Sequence, residues 1–73
     1  MGEHMKYIFT LGTREDAKRL VKRLELRSIS SNLKPSTDGR FTVDGILRVP
    51  EGELESIASG IRVVSFITIQ EES

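Results

Sequence analysis

Basic side chains recur on one predicted helix in the first half of this 73-residue chain. They form two rows at a spacing of four residues, the first Arg14, Lys18 and Lys22, the second Arg19, Arg23 and Arg27. Residues four apart lie on the same face of an α-helix. An exposed face of this kind can bind phosphate groups or an acidic protein surface. The alternative is a solvated helix face that an acidic second helix partly neutralises.

The charge of the whole chain favours a protein partner over nucleic acid. Eleven basic and eleven acidic residues give a formal net charge of zero. Nine basic and five acidic residues precede position 41, and two basic and six acidic residues follow it. Nucleic-acid-binding domains more often carry a net positive charge. Binding of nucleic-acid phosphates by the basic helix is therefore the alternative, and a protein partner is the leading expectation.

The residue types offer little for catalysis. The chain has no cysteine, and its one histidine, His4, lies in residues 1–4, which look like a remnant of expression ahead of Met5. The remaining serines then lack an imidazole partner. The glutamates at positions 51, 53 and 55 suit the first turn of a helix better than a catalytic pair. We expect no enzymatic activity, cofactor or metal.

Gly12 and Thr13 precede the basic helix, where free main-chain amides favour anions. A single Gly-Thr pair lacks the lysine and the second glycine of a phosphate-binding P-loop. Capping of the helix by Thr13 explains the presence of the threonine equally well. Regulatory domains of the ACT type hold small ligands at this loop of a similar topology, which is an analogy at the level of fold. A small-ligand module is the second alternative.

The elements that must position these residues follow from apolar periodicity and turn residues. Residues 6–11 are β-branched and aromatic and predict a strand. Thr13 starts a possible capping box with Asp16, and apolar residues then follow at helical spacing: Ala17, Leu20, Val21 and Leu24. Residues 28–34 predict a short edge strand and 40–49 a longer one, separated by the turn at 35–39.

Residues 51–59 predict a second helix ending at Gly60, and 61–70 a last strand. The order βαββαβ predicts a single α+β domain over residues 5–73 with a ferredoxin-like fold. Its antiparallel four-stranded sheet would carry both helices on one face and leave the other face open.

Strand alternation predicts which side chains face the helices. Eleven apolar residues share one predicted face: Tyr7, Phe9, Leu11, Phe41, Val43, Leu47, Val49, Ile61, Val63, Ile67 and Ile69. Four fall on the open face: Ile8, Ile46, Val64 and Phe66. A bulge at Gly45 would reverse the sides of residues 46–49. RNA-recognition motifs share this topology and stack bases on exposed aromatic rings, whereas the aromatic residues of the central strands face inward here.

The sequence therefore predicts a small binding or regulatory protein that acts through protein contacts. The four open-face residues are the candidate interface, and the partner is another protein or a second copy in a homodimer. An adjacent strand edge or the basic helix could serve instead. No apolar stretch is long enough to span a membrane, and the absence of a secretory signal favours the cytoplasm.

Overall fold

The computed structural model contains four strands and two helices, and it describes the backbone of residues 3–72 and the side chains of residues 5–70. The elements are β1 (Glu3–Leu11), α1 (Arg14–Leu26), β2 (Asn32–Pro35), β3 (Phe41–Ile46), α2 (Glu51–Ile57) and β4 (Val63–Glu72). The sheet order is β2-β3-β1-β4, and all neighbouring pairs are antiparallel. The predicted βαββαβ fold is confirmed. The predicted remnant at residues 1–4 stays a prediction, although the backbone of Glu3 and His4 pairs within β1.

Thr13 caps α1 as the sequence predicted. Its Oγ1 accepts a hydrogen bond from the Asp16 amide at 3.1 Å, which satisfies one of the free amides of the first turn. Ala17, Leu20 and Leu24 are fully buried against the sheet. The helical spacing of these apolar residues therefore places one face of α1 in the core and leaves its basic residues in solvent.

Because of the turn that ends α1, β2 begins later in the chain than the sequence predicted. Ser28 adopts φ 61°, its amide donates to the Glu25 carbonyl at 2.9 Å, and the Ile29 amide donates to the Leu24 carbonyl at 2.9 Å. These bonds form a Schellman turn, in which the residue two beyond the cap packs back on the helix. Ile29 is accordingly buried in the core and does not belong to a strand. The strand predicted at 28–34 lies at Asn32–Pro35 for this reason.

The interior lies between the two helices and one face of the sheet. Tyr7, Phe9 and Leu11 from β1 and Val43 from β3 are buried there, with Leu54 and Ile57 from α2. Tyr7 and Phe9 meet edge to face at 5.9 Å between ring centroids. The predicted inward placement of the aromatic residues of β1 is thus what the structure shows.

Gly45 does not form a bulge. β1 and β3 pair without interruption from Lys6 opposite Ile46 to Leu11 opposite Phe41. Ile46 therefore lies on the open face, as regular alternation predicts.

The irregularity lies instead in β4, and because of it three residues lie on the side opposite to the one predicted. Thr10 pairs with Ser65 and Leu11 with Val63, so Val64 is an extra residue on β4. A bulge of this kind reverses the alternation beyond it. Ile67 and Ile69, predicted to face the helices, lie on the open face. Phe66, predicted to lie on the open face, points to the helix side and packs on the core.

Candidate protein-interaction surface

Four isoleucines from three strands lie together on the helix-free face of the sheet. Ile8 pairs with Ile67, and Lys6 pairs with Ile46 on one side and Ile69 on the other. Paired residues of antiparallel strands point to the same face with their Cβ atoms roughly 5 Å apart. We call Ile8, Ile46, Ile67 and Ile69 the isoleucine surface. It was not visible as a cluster in the sequence, because two of its members were predicted on the other face.

The isoleucine surface is substantially exposed to solvent. Ile67 is 50 % exposed, Ile69 41 % and Ile46 39 %, while Ile8 is half-buried between its neighbours. Each exposed isoleucine is commonplace alone, whereas a contiguous apolar group is typical of an interaction site. The surface therefore has the composition of a contact region.

The two remaining predicted interface residues lie elsewhere. Val64 occupies the bulge, is 49 % exposed, and lies beside Gly12, where an added Cβ would be 3.9 Å from Val64 Cγ2. Phe66 stacks on Phe9 with ring centroids 4.5 Å apart, on the helix side of the sheet. Val64 thus borders the β1–α1 loop, and Phe66 is not part of the open face.

β4 forms one edge of the sheet and β2 forms the other. β2 has four residues and includes Lys34 and Pro35, which are features that prevent an edge strand from pairing further. β4 has ten residues without proline, and its residues from Val63 to Gln70 carry no charge. Only the β4 edge is therefore long and apolar enough to accept another strand.

An open groove of about 420 Å³ runs along β4 on the helix side. Its walls are Phe66 and Val63 of β4, Phe9 of β1, Glu55 of α2, and the chain from Ala58 to Ile61 after α2. β4 consequently borders apolar surface on both faces of the sheet.

The basic residues of α1 are exposed, and among residues 5–70 none of the six predicted candidates has a carboxylate oxygen within 4 Å. The one ion pair within 4 Å among residues 5–70 joins Arg40 and Asp38 at 3.8 Å. Neutralisation of α1 by side chains of α2 is therefore not observed in this part of the chain. Within the same residues, five of the six side chains make no hydrogen bond either: Arg14, Lys18, Arg19, Lys22 and Arg27.

Arg23 differs from the other five because it joins the two helices. Its Nη1 donates to the Ile57 carbonyl at 3.0 Å and to the Ser59 carbonyl at 2.6 Å. Both acceptors lie at the end of α2, where main-chain carbonyls lack helical partners. Arg23 is thus engaged in the fold, and the second predicted basic row is interrupted at its centre.

A polar cluster lies where β1, β3 and the segment before β2 meet. The buried Tyr7 hydroxyl donates to the Ser30 carbonyl at 3.0 Å. Burial, followed by the nearby Asp44 carboxylate, raises the pKa of Tyr7 to about 12, against a smaller lowering by the Ser31 hydroxyl. Tyr7 is therefore a neutral hydrogen-bond donor at physiological pH, suited to holding the fold together and not to proton transfer.

The loop at Gly12 and Thr13 is used for capping, as described for Thr13. No group of three or more potential metal ligands occurs among the residues described. Within the same residues, no helix is long and apolar enough to cross a bilayer.

Comparisons with known proteins support the fold and identify no family for the chain. No protein-family model matches the chain, and no curated protein sequence matches it. Among solved structures, the chain is similar to the acylphosphatase from Bacillus subtilis, with a TM-score of 0.55 and 17 % sequence identity. The match covers 99 % of this chain and 88 % of that one. The ferredoxin-like fold is therefore shared with an enzyme.

Proposed function

We propose that this protein is a non-enzymatic binding module that engages a protein partner through the isoleucine surface. The observation that carries the proposal is the grouping of four isoleucines around Lys6 on the sheet face that the helices leave bare, three of them between 39 % and 50 % exposed. Burial of such side chains contributes roughly 25 cal/mol for each Å² removed from water. Burial of the isoleucine surface by a partner would therefore stabilise the complex relative to the two separate proteins.

The surroundings of the isoleucine surface support a protein partner. Lys6 lies within it, the buried Asp44 pairs with Ile8, and Lys34, Thr42 and Ser65 lie on the same face. An apolar centre with a polar rim is the usual composition of a protein interface. Among residues 5–70 this face carries no exposed aromatic side chain, which is what base stacking would require.

Site-specific photocrosslinking tests the proposal. A benzoylphenylalanine at position 69, on the isoleucine surface, should give one discrete protein adduct in cells that express the full chain. The adduct should map by mass spectrometry to one partner segment and should disappear with the additional substitution Ile46→Lys. The matched control carries the same photoreactive residue at Thr37, an exposed position in the β2–β3 turn. Equal, diffuse labelling from both positions would overturn the proposal.

The non-enzymatic part of the proposal has its own assay, because the similar solved structure is an acylphosphatase. The purified chain should not accelerate hydrolysis of acetyl phosphate or benzoyl phosphate above the buffer rate. Hydrolysis that follows the protein through purification would show that the chain is an enzyme.

A second candidate function is binding of nucleic-acid phosphates, favoured by the unpaired cations of α1. The substitution pair Lys18→Glu and Lys22→Glu should then weaken binding to labelled RNA or DNA at low salt. The slope of log affinity against log salt falls by about 0.9 for each lost contact with duplex DNA. Lys34→Glu, on the opposite side of the molecule, is the control. Absence of binding by the unmodified chain at low salt would exclude this candidate.

A further inference from the structure

We propose that the outer edge of β4 is a peptide-binding site, which pairs with an extended segment of another protein. The segment inserts an apolar side chain into the groove beside β4 and carries a basic residue that faces Glu55. This inference goes beyond the proposed function, because the site is the edge of the sheet and its groove and does not include the isoleucine surface.

The difference between the two sheet edges is the first support. Soluble proteins normally block an edge strand with short length, lysine or proline, and β2 has all three of these features. β4 has ten residues, and the bulge at Val64 affects only its start. From Ser65 to Gln70 it pairs regularly with β1 and contains no charged residue and no proline. This stretch is therefore open to another strand.

The direction of the main-chain hydrogen bonds in β1 identifies the free groups of β4. In an antiparallel sheet, the amide and carbonyl of one residue bond to one neighbouring strand, and those of the next residue bond to the other. The Leu47 amide donates to the Met5 carbonyl at 2.7 Å, so Met5 bonds towards the β3 side. Lys6 and, by alternation, Ile8 consequently bond towards β4.

The residues that β1 does not bond are Phe66 and Thr68. Lys6 pairs with Ile69 and Ile8 pairs with Ile67, so the main-chain groups of these two isoleucines are bonded to β1. The amides and carbonyls of the alternate residues, Phe66 and Thr68, point away from the sheet. An added strand would form its hydrogen bonds with these two residues.

The groove is the second support, because it lies on the face to which these two side chains project. Paired residues of antiparallel strands point to the same face. A segment residue bonded to Phe66 or Thr68 therefore directs its side chain to the helix side, where the groove of about 420 Å³ lies. Phe66, Val63 and Ile61 form its apolar wall, which suits a large apolar side chain.

Charge at the groove is the third support and gives the chemistry of the segment. Glu55 forms part of the groove wall, is exposed, and has no basic side chain within 4 Å among residues 5–70. Residues two apart on a strand share a face, so a lysine or arginine two positions from the inserted residue lies on the side of Glu55. β4 has no basic residue from Val63 to Gln70, so the complementary segment belongs to another protein.

Random linear peptides displayed on phage are the probe for this site. Selection against the purified full chain should enrich sequences with a large apolar residue, a lysine or arginine two positions away, and no proline between them. A fluorescently labelled synthetic copy of the most enriched sequence should bind the chain in an anisotropy titration. Absence of enrichment would overturn the inference.

Two substitutions at Thr68 test the main-chain pairing. Thr68→Pro removes an amide that points to solvent, which is where an edge strand tolerates proline, and should abolish binding of the peptide. Thr68→Val keeps the amide and should bind as the unmodified chain does. Methylation of the peptide amides that pair with β4 should also abolish binding, and this result does not depend on the folding of a variant. Unchanged binding by peptides methylated at each amide in turn would overturn the edge pairing.

Charge reversal at Glu55 tests the assigned contact with the basic residue. Glu55→Lys should weaken binding of the selected peptide about tenfold, as loss of an ion pair and a new repulsion predict. Glu53→Lys is the matched control, since it makes the same change of charge on α2 at an exposed residue outside the groove wall. Equal affinities of the two variants would overturn the role of Glu55.

Ile46→Lys separates this site from the isoleucine surface. The variant should bind the selected peptide normally, because Ile46 lies on β3, two strands from the β4 edge. Loss of binding in Ile46→Lys with full binding in Thr68→Pro would overturn the edge site and keep the proposed function. A dimer of the unliganded chain in sedimentation equilibrium that Thr68→Pro converts to a monomer would show that β4 pairs with a second copy, and would overturn the assignment to another protein.

Discussion

Gly45 lies on β3 opposite Tyr7, where three segments of the chain come close together. An added Cβ would be 2.7 Å from the Ser30 carbonyl oxygen and 2.7 Å from the Tyr7 hydroxyl oxygen. The carbonyl belongs to the main chain and accepts the Tyr7 hydrogen bond, so it cannot move without breaking that bond.

Gly45→Ala should therefore lower the free energy of unfolding by about 1–3 kcal/mol, as overpacking does. Urea denaturation followed by circular dichroism measures the change. Gly52→Ala in α2 is the control, because an added Cβ there has no atom within 4 Å. It should stabilise the helix by about 0.5–1 kcal/mol. Equal midpoints for the two variants would contradict the crowding at Gly45.

Tyr7 gives the protein a predictable response to alkaline pH. Its pKa in the folded state is about 12, mainly because the hydroxyl is buried, against 10.0 for the unperturbed group. Folding thus favours the neutral phenol. This contribution to stability is complete below pH 10 and is lost as the pH rises through 12.

Tyr7 is the single tyrosine, so ultraviolet absorbance reports its ionisation alone. The absorbance midpoint should lie near pH 12 for the native protein and near 10 in denaturant. In Tyr7→Phe, the free energy of unfolding should not decline in this way between these pH values. Below pH 10 it should be about 1 kcal/mol lower than that of the unmodified chain, because the hydrogen bond is lost. A native midpoint near 10 would show that the hydroxyl is accessible to water.

At the scale of elements, Arg23 of α1 helps to hold the end of α2 in place. Arg23 donates to the carbonyls of Ile57 and Ser59, which no residue of α2 satisfies by helical bonding. We expect Arg23→Ala to lower the free energy of unfolding by about 1 kcal/mol and to accelerate amide exchange in α2. Arg19→Ala on the same helix should change neither quantity. Identical behaviour of the two variants would mean that Arg23 is only a solvated charge.

Element boundaries show where sequence patterns were sufficient and where they failed. The α1 start at Thr13 was predictable because a cap is a local hydrogen bond between residues three apart. The start of β2 was not predictable from the sequence. Ile29 and Leu33, separated by polar residues, are equally compatible with a strand and with a Schellman turn. Ser28 occupies the left-handed position that usually carries glycine, so the ordinary signal for the turn was missing.

At the scale of the whole molecule, hydrogen exchange distinguishes a free β4 edge from a paired one. In an isolated chain, alternate amides of β4 point away from β1 and exchange rapidly. We therefore expect every second amide near Ile67 to exchange rapidly in the purified chain, with the short β2 edge as the internal reference for rapid exchange. Uniformly slow exchange along β4 would show that another strand pairs with this edge.

The sequence by itself determined the order of elements, the fold and the inward placement of the β1 aromatic residues. Those features follow from periodicity and caps within single segments, which neighbouring residues specify. Only the tertiary structure decided which side of β4 meets the helices. One extra residue at Val64, set by how β4 pairs with β1, reverses every side chain after it. That reversal takes Phe66 into contact with Phe9 and brings Ile67 and Ile69 beside Ile8 and Lys6, and no pattern within β4 alone encodes it.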